Sequence, residues 1–123
     1  MSAVSYAEFS ESLREPGTVD LSPTAIAGVM GLQQQELAKL AGVHRNTLRL
    51  HPDSPQVQAM LRNLTRVLTA MTQIQPDVVT AVYHIKNTPI PAFDYRTLFE
   101  MIVEGRIEDA LKYLRSVSSG AAG

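Results

Sequence analysis

Residues 32–50 read LQQQELAKLAGVHRNTLRL, and this stretch decides how the N-terminal half of the chain is expected to fold. The pattern predicts two short helices joined at Gly42, because only glycine adopts a positive φ with little cost in free energy. Apolar residues occupy the positions where a helix-turn-helix buries side chains between its two helices. They are Leu37, Ala38, Ala41, Val43 and Leu48. Residues 32–50 therefore predict a helix-turn-helix.

The outer face of this unit carries polar side chains that suit contacts with phosphates and base edges. His44 stands at the entrance of the second helix, where it would contact a phosphate or substitute for an N-cap. The predicted DNA-binding residues are Gln34, His44, Arg45, Asn46, Thr47 and Arg49. Because His51 precedes Pro52, the second helix should end early and read bases only modestly. The same unit also serves as a packing element in proteins that do not bind DNA.

Length and composition limit the class of protein. The 123 residues are 45% hydrophobic, which suits one compact domain or one domain with a short appendage. The chain has no cysteine, which excludes disulfides and thiolate metal sites. No stretch approaches the roughly 18 consecutive apolar residues of a membrane span, and the N-terminus lacks the apolar run of a signal peptide. We therefore expect a cytoplasmic protein that does not enter the membrane.

The net charge of −1 conceals an uneven distribution. Residues 33–66 carry five cationic side chains against two carboxylates, a net charge of +3. Residues 1–32 sum to −3 and residues 67–123 to −1. The positive charge thus lies in and just after the predicted helix-turn-helix, where a phosphate-binding face needs it. A solvated helical surface with ordinary charge scatter explains the same numbers.

The remaining patterns predict an all-α protein. Residues 1–20 read as a flexible N-terminal arm, residues 21–75 as the helix-turn-helix domain with a long helix, and residues 76–123 as a small helical module. Ser22 and Pro23 have the residue types of an N-cap and of a first helical residue.

The longest predicted helix covers about 56–74 and has a continuous apolar stripe that either packs in the core or supplies a dimer interface. The stripe consists of Val57, Met60, Leu61, Leu64, Val67, Leu68 and Met71. Facing away from it we expect Gln58, Arg62, Asn63, Arg66 and Thr69. The next helix should begin at Asp77.

Two prolines interrupt the C-terminal half at residues 89–91, so that segment cannot be regular helix. We expect Phe93 to point inward and Asp94 or Tyr95 to open another helix, which Gly105 ends. The last helix should begin near Ile107. After it, the six small residues 118–123 read as a frayed terminus unless a partner holds them.

Several motifs in this half resemble the toxin-binding domain of Xre/MbcA/ParS-type antitoxins, which also carry an Xre-like helix-turn-helix. The matching residues are NTPIPAF (87–93), Thr97, Val103-Glu104-Gly105-Arg106, Ala110-Leu111, Tyr113-Leu114 and Gly120 to Gly123. Ile85 stands where the family often has an aromatic residue, and Asp94 stands where a glycine is common. The resemblance covers about 22–123.

The resemblance implies the antitoxin of a type II toxin–antitoxin pair, with an Xre-like helix-turn-helix bundle followed by a small toxin-binding module. The partner would be a RES-domain toxin that consumes NAD or transfers ADP-ribose, and the antitoxin would occlude its active site. The complex would bind operator DNA and repress its own promoter, with the antitoxin as a homodimer inside a hetero-oligomer.

The expected toxin-binding residues follow from this partner. A tail without large side chains can enter a dinucleotide cleft, where its terminal carboxylate would mimic a phosphate. Arginines suit the polar surroundings, although each would equally fit a solvated face. The set is Arg96, Arg106, Arg115, Ser118, Ser119, Gly120, Ala121, Ala122 and Gly123.

The sequence predicts no catalytic residue, no metal site and no cofactor. Its three histidines lack metal-ligand spacing, and no nucleophile lies near them. The alternatives to an antitoxin are a dimeric helix-turn-helix transcription regulator without a toxin and an adaptor that does not bind DNA.

Overall fold

The computed structural model describes residues 3–120, with side chains from residue 8 onward. The all-α prediction is confirmed: the described residues form helices and connecting turns, with two isolated β-bridges and no strand. The helices are α1 (Ala3–Ser12), α2 (Pro23–Met30), α3 (Gln34–Ala41), α4 (Arg45–Leu50), α5 (Pro55–Thr72), α6 (Val78–Asn87), α7 (Leu98–Val103) and α8 (Ile107–Ser118). None of these helices is long and apolar enough to cross a membrane.

The chain divides into two compact units between Arg62 and Asn63. We refer to residues 1–62 as unit 1 and to residues 63–123 as unit 2. The division falls inside α5, whereas the sequence pattern placed the limit of its first domain at residue 75, after that helix.

The start of unit 1 is anchored by the segment that precedes α2. The N–H of Ser22 donates to the carbonyl of Leu13, and the N–H of Glu15 donates to the carbonyl of Asp20 (2.6 and 2.8 Å). Leu13 is buried. The described part of the predicted arm, residues 3–20, is therefore α1 followed by a turn that folds back onto Ser22.

The predicted N-cap of α2 is confirmed. The Ser22 hydroxyl accepts a hydrogen bond from the N–H of Ala25 at 3.1 Å, and Pro23 is the first helical residue. This arrangement satisfies one of the N–H groups that a helix start leaves without a partner.

Gln58 does not face away from the core, which corrects the prediction for α5. It is buried, and its amide both accepts from the N–H and donates to the carbonyl of Leu21, each at 2.9 Å. It also donates to the carbonyl of Pro52 at 2.7 Å. Buried backbone groups outside helices need partners, and an amide side chain offers both a donor and an acceptor. Apolar periodicity cannot reveal such a position.

The apolar stripe of α5 packs within the chain. Six of its members are buried, namely Val57, Met60, Leu61, Leu64, Val67 and Leu68. Met71 is half-buried. Of the two readings of this stripe, core and dimer interface, the structure therefore supports the core.

In unit 2, α6 begins as predicted, because the carboxylate of Asp77 accepts from the N–H of Thr80 at 2.9 Å. The start of α7 was predicted wrongly. Asp94 and Tyr95 both have positive φ, 55° and 64°, which a right-handed helix cannot contain. The helix begins at Leu98, after Thr97, whose hydroxyl accepts from the N–H of Glu100 at 3.1 Å.

Candidate nucleic-acid and protein interfaces

The turn between α3 and α4 lies at Gly42, the position that the sequence predicts. Gly42 ends α3 with φ of 71°, a left-handed conformation that favours glycine. Leu37 and Leu48 are buried, and the two helices are in contact. At the other end of α3, the carboxylate of Glu36 accepts from the N–H of Gln33 at 2.8 Å. The polar residues of α4 thus belong to a pair of helices that is held by buried side chains, by the turn at Gly42 and by the cap at the start of α3.

His44 is the N-cap of α4, so the structure gives it the second of its two predicted roles. Its Nδ1 accepts a hydrogen bond from the N–H of Asn46 at 3.1 Å. The ring must be unprotonated at Nδ1 to do this. The helix ends after six residues, with His51 as its C-cap, as the following proline predicted.

A groove of about 860 Å³ in unit 1 brings together four of the six predicted DNA-binding residues. Its lining includes Gln34, Arg45, Asn46 and Arg49. His44 and Thr47 are not part of the lining. Arg45 and Arg49 lie one helical turn apart, and both are exposed.

The two arginines of the groove have no ion-pair partner in the described part of the chain. Two unpaired guanidinium groups beside an asparagine and a glutamine can hold phosphate oxygens and donate to base edges.

Two further polar residues of the groove, Glu15 and Thr24, were not predicted. They come from the segment before α2 and from its first turn, and no sequence motif links them to α4. Their place in the groove depends on how the chain folds around Ser22, which the sequence pattern does not show. A carboxylate on this face would repel phosphates, but it can accept a hydrogen bond from the amino group of cytosine.

In unit 2, residues 90–96 form a tight loop that contains the two left-handed residues. The N–H of Tyr95 and the N–H of Phe93 both donate to the carbonyl of Ile90, at 2.9 Å each. The N–H of Ile90 in turn donates to the carbonyl of Arg96 at 2.9 Å. Asp94 takes the left-handed conformation that glycine adopts most easily. Non-glycine residues held in this region cost about 1–3 kcal/mol each.

Arg96 closes this loop against the end of α7. Its Nε–H is shared by the two carboxylate oxygens of Glu104, at 2.8 and 2.9 Å, and Nη1 lies 3.7 Å from Asp94. The hydrogen bond with Glu104 raises the pKa of Arg96 further above its ordinary high value, with the Glu104 charge as the next cause. The charge of this predicted toxin-binding residue is thus already engaged within unit 2.

Arg106 is engaged in the same way. Its guanidinium carbon lies 5.3 Å from the ring centre of Phe93, and its Nε lies 3.3 Å from Asp109. Phe93 also makes an edge-to-face contact with Tyr113, with ring centres 5.9 Å apart. Cation–π and edge-to-face contacts of this kind stabilise a fold. Phe93 is half-buried, in agreement with its predicted inward direction.

The remaining predicted toxin-binding residues lie at the end of α8. Arg115, Ser118, Ser119 and Gly120 are exposed. Arg115 forms no ion pair among the described side chains, unlike Arg96 and Arg106. The hydroxyl of Ser118 donates to the carbonyl of Arg115 at 3.2 Å. Ala121, Ala122 and Gly123 lie outside the described residues, so tail insertion stays a prediction.

Several apolar side chains of unit 2 are exposed, which the sequence pattern did not predict. Tyr95 is 69% exposed, and Val103, Val79 and Tyr83 are also exposed. A signal for Tyr95 existed: a glycine is common at the preceding place in the antitoxins that the sequence resembles, and a glycine there indicates a left-handed turn rather than a helix start. A residue in the middle of such a turn directs its side chain into solvent.

No family model, no curated protein and no solved structure matches this chain. Among the described side chains, no group of three or more His, Cys, Asp or Glu residues is placed to hold a metal ion. The resemblance to antitoxins therefore rests on the sequence motifs alone.

Proposed function

We propose that this chain is the antitoxin of a type II toxin–antitoxin pair, in which unit 2 neutralises a RES-domain toxin and unit 1 binds operator DNA through a helix-turn-helix. One observation carries the proposal. The motif residues that make the sequence resemble this family contact one another in unit 2. Phe93 packs against Arg106 and Tyr113, and Arg96 pairs with Glu104. Residues that matched the family motifs only by chance would not be expected to contact one another in a single cluster.

Neutralisation would be steric and electrostatic, with no covalent step. The cluster around Phe93 holds the start of α8 in place, and α8 carries Arg115 and the tail 118–123 toward the toxin. The tail enters the NAD cleft, offers backbone groups, and places its carboxylate where a phosphate of NAD would bind. Arg115 pairs with a carboxylate of the toxin, because an exposed guanidinium is the best partner for such a group.

The test is NAD consumption by the toxin encoded beside this chain, measured with and without the full-length protein. We expect an equimolar amount to abolish NAD loss and deletion of 118–123 to restore it. Lys112→Ala is the control, because it removes an exposed cation from the same helix and should retain inhibition. Undiminished NAD loss in the presence of the full chain would refute the antitoxin function.

DNA binding is favoured by the groove that Gln34, Arg45, Asn46 and Arg49 line. We expect Arg45→Ala and Arg49→Ala each to weaken binding to the upstream promoter. Each should also lower the slope of log affinity against log salt by about 0.9 for every phosphate that the variant no longer neutralises. Arg62→Ala is the matched control, because Arg62 is exposed on α5 and does not line the groove. Identical affinities for all three variants would show that the groove does not hold the DNA, and absence of promoter binding by the unsubstituted chain would favour an adaptor without DNA binding.

A transcription regulator without a toxin is the second candidate, favoured by the same groove. The two functions differ in one respect: a plain regulator binds the promoter fully without any partner, and its loss does not change NAD levels. Promoter binding with and without the neighbouring protein therefore separates them.

A further inference from the structure

Tyr95 occupies a strained backbone position and yet projects its side chain into solvent. Its φ is 64°, and that of the preceding residue, Asp94, is 55°. Tyr95 as a whole is 69% exposed, and its ring makes no aromatic or cation–π contact among the described residues. Glycine would form the same turn without strain. The fold of unit 2 therefore does not require a tyrosine at this position.

The loop that carries Tyr95 is held on several sides. Backbone hydrogen bonds join Ile90 to Tyr95 and to Arg96, and Arg96 is held by Glu104. A side chain displayed from such a loop loses little conformational freedom when it binds. Tyrosine combines a large apolar area with few rotatable bonds, which makes it a common anchor of protein interfaces.

The charge around Tyr95 indicates what kind of surface it meets. Three carboxylates, those of Asp94, Glu100 and Glu104, act on the single guanidinium of Arg96. All three residues are exposed. The two neighbours of Tyr95 in the chain, Asp94 and Arg96, thus belong to a group of three carboxylates and one guanidinium with a net charge of −2. The surface complementary to such a group and an exposed ring is an apolar hollow with a cationic rim. A second copy of this chain would bring the same carboxylates against this group, so the like charges exclude a symmetric contact.

We infer that Tyr95 is an anchor residue for the toxin, and that it inserts into an apolar hollow of the toxin surface that is rimmed by Lys or Arg. The inference rests on the proposed antitoxin function. It adds a contact that is separate from the tail and from the arginines, of which Arg96 acts by positioning the loop.

The experiment measures the affinity of the full chain for the catalytically inactive toxin by titration calorimetry, together with the thermal midpoint of the free chain. We expect Tyr95→Gly to weaken binding about 30-fold or more, the range of interface anchors, without lowering the midpoint. Tyr83→Ala is the matched control, because it removes another exposed tyrosine ring of unit 2, on α6, and leaves the loop 90–96 unchanged. It should bind within a few-fold of the unsubstituted chain.

Tyr95→Asn provides a second test, since asparagine tolerates the left-handed conformation and lacks the ring. It should lose affinity as Tyr95→Gly does. Binding of both variants within about threefold of the original chain overturns the inference and leaves the antitoxin function intact. Loss of affinity that is matched in both variants by a fall in the midpoint overturns it too, because the role is then structural. If the unsubstituted chain does not bind the toxin at all, the proposed function fails, and the inference fails with it.

Discussion

The Nε–H of Arg96 lies between the two carboxylate oxygens of Glu104, eight residues away, at 2.8 and 2.9 Å. This contact joins the loop 90–96 to the C-terminal end of α7. In this chain, the glutamate of the Val-Glu-Gly-Arg segment thus holds the arginine that follows the Pro-Ile-Pro loop.

Replacing Glu104 should loosen this connection. We expect Glu104→Gln to lower the thermal midpoint of the chain, because a neutral amide is a weaker acceptor for a guanidinium than a carboxylate. Glu108→Gln is the control, since Glu108 forms a more exposed pair with Arg66 at 3.2 Å and should have a smaller effect. Differential scanning fluorimetry at low and high salt measures both. Equal midpoints for the two variants would contradict a structural role for the Arg96–Glu104 contact.

Gln58 should contribute more to stability than any exposed glutamine of the same helix. Gln58→Ala removes three hydrogen bonds and leaves the polar groups of Leu21 buried without partners, which should cost about 2 kcal/mol or more of unfolding free energy. Urea denaturation provides the measurement. Gln56→Ala, at an exposed position of α5, should change the free energy by less than about 0.5 kcal/mol. A Gln58→Ala protein as stable as Gln56→Ala would show that the bridge is dispensable.

The N-cap of α4 provides a third prediction. His44→Ala should cost about 0.5–1 kcal/mol, the lower part of the range for N-cap residues, whereas His44→Ser should retain the stability. His51→Ala is the matched histidine control, because His51 caps the other end of α4 through its backbone only. Hydrogen exchange of the N–H of Asn46 reports the cap directly. Unchanged protection of that N–H in His44→Ala would rule out the capping role.

Asp77 should make unit 2 less stable at acid pH than at neutral pH. Hydrogen bonds from the hydroxyl and then the N–H of Thr80 lower the pKa of the Asp77 carboxyl below its usual 3.8. A carboxyl with a lowered pKa in the folded state stabilises the protein above pH 3.8, and the contribution disappears as the pH falls through the lower value.

The measurement compares the original chain with Asp77→Asn from neutral pH to about pH 2, below the ordinary pKa of an aspartate. Asparagine can still cap the helix but does not titrate, so the stability difference between the two proteins should shrink on acidification. Asp53→Asn, at an exposed carboxyl, corrects for general charge effects. A difference that stays constant over the whole range would refute the contribution of Asp77.

Local signals in the sequence predicted most helix ends. Ser22 and Asp77 cap helices because their short side chains reach the N–H three residues further on, and Gly42 ends α3 because it takes a left-handed conformation. These are interactions within one turn of chain, so the identity of the residue at the position is sufficient to predict them.

Interactions between distant segments could not be predicted in this way. Gln58 looks like a surface residue until Leu21, 37 positions away, is placed beside it. Glu15 joins the groove of α4 only because the chain before α2 folds back. Asp94 and Tyr95 have side chains that fit a helix start, but their N–H groups donate to the carbonyls of Pro91 and Ile90, respectively, and both residues are held in the left-handed conformation. In each case the tertiary partner, rather than local preference, decides the outcome.

The position of the unit boundary inside α5 determines how the protein can be cut. Proteases need an extended segment, and they attack exposed loop tips in preference to hydrogen-bonded helix. Arg62 is exposed, yet its peptide bond to Asn63 lies within an 18-residue helix. Trypsin should therefore spare this bond in the native protein, and limited digestion should not release the two units as intact fragments. A gene fragment that ends at residue 62 would encode a chain that stops within α5. That chain would lack the remaining residues of the helix, up to Thr72.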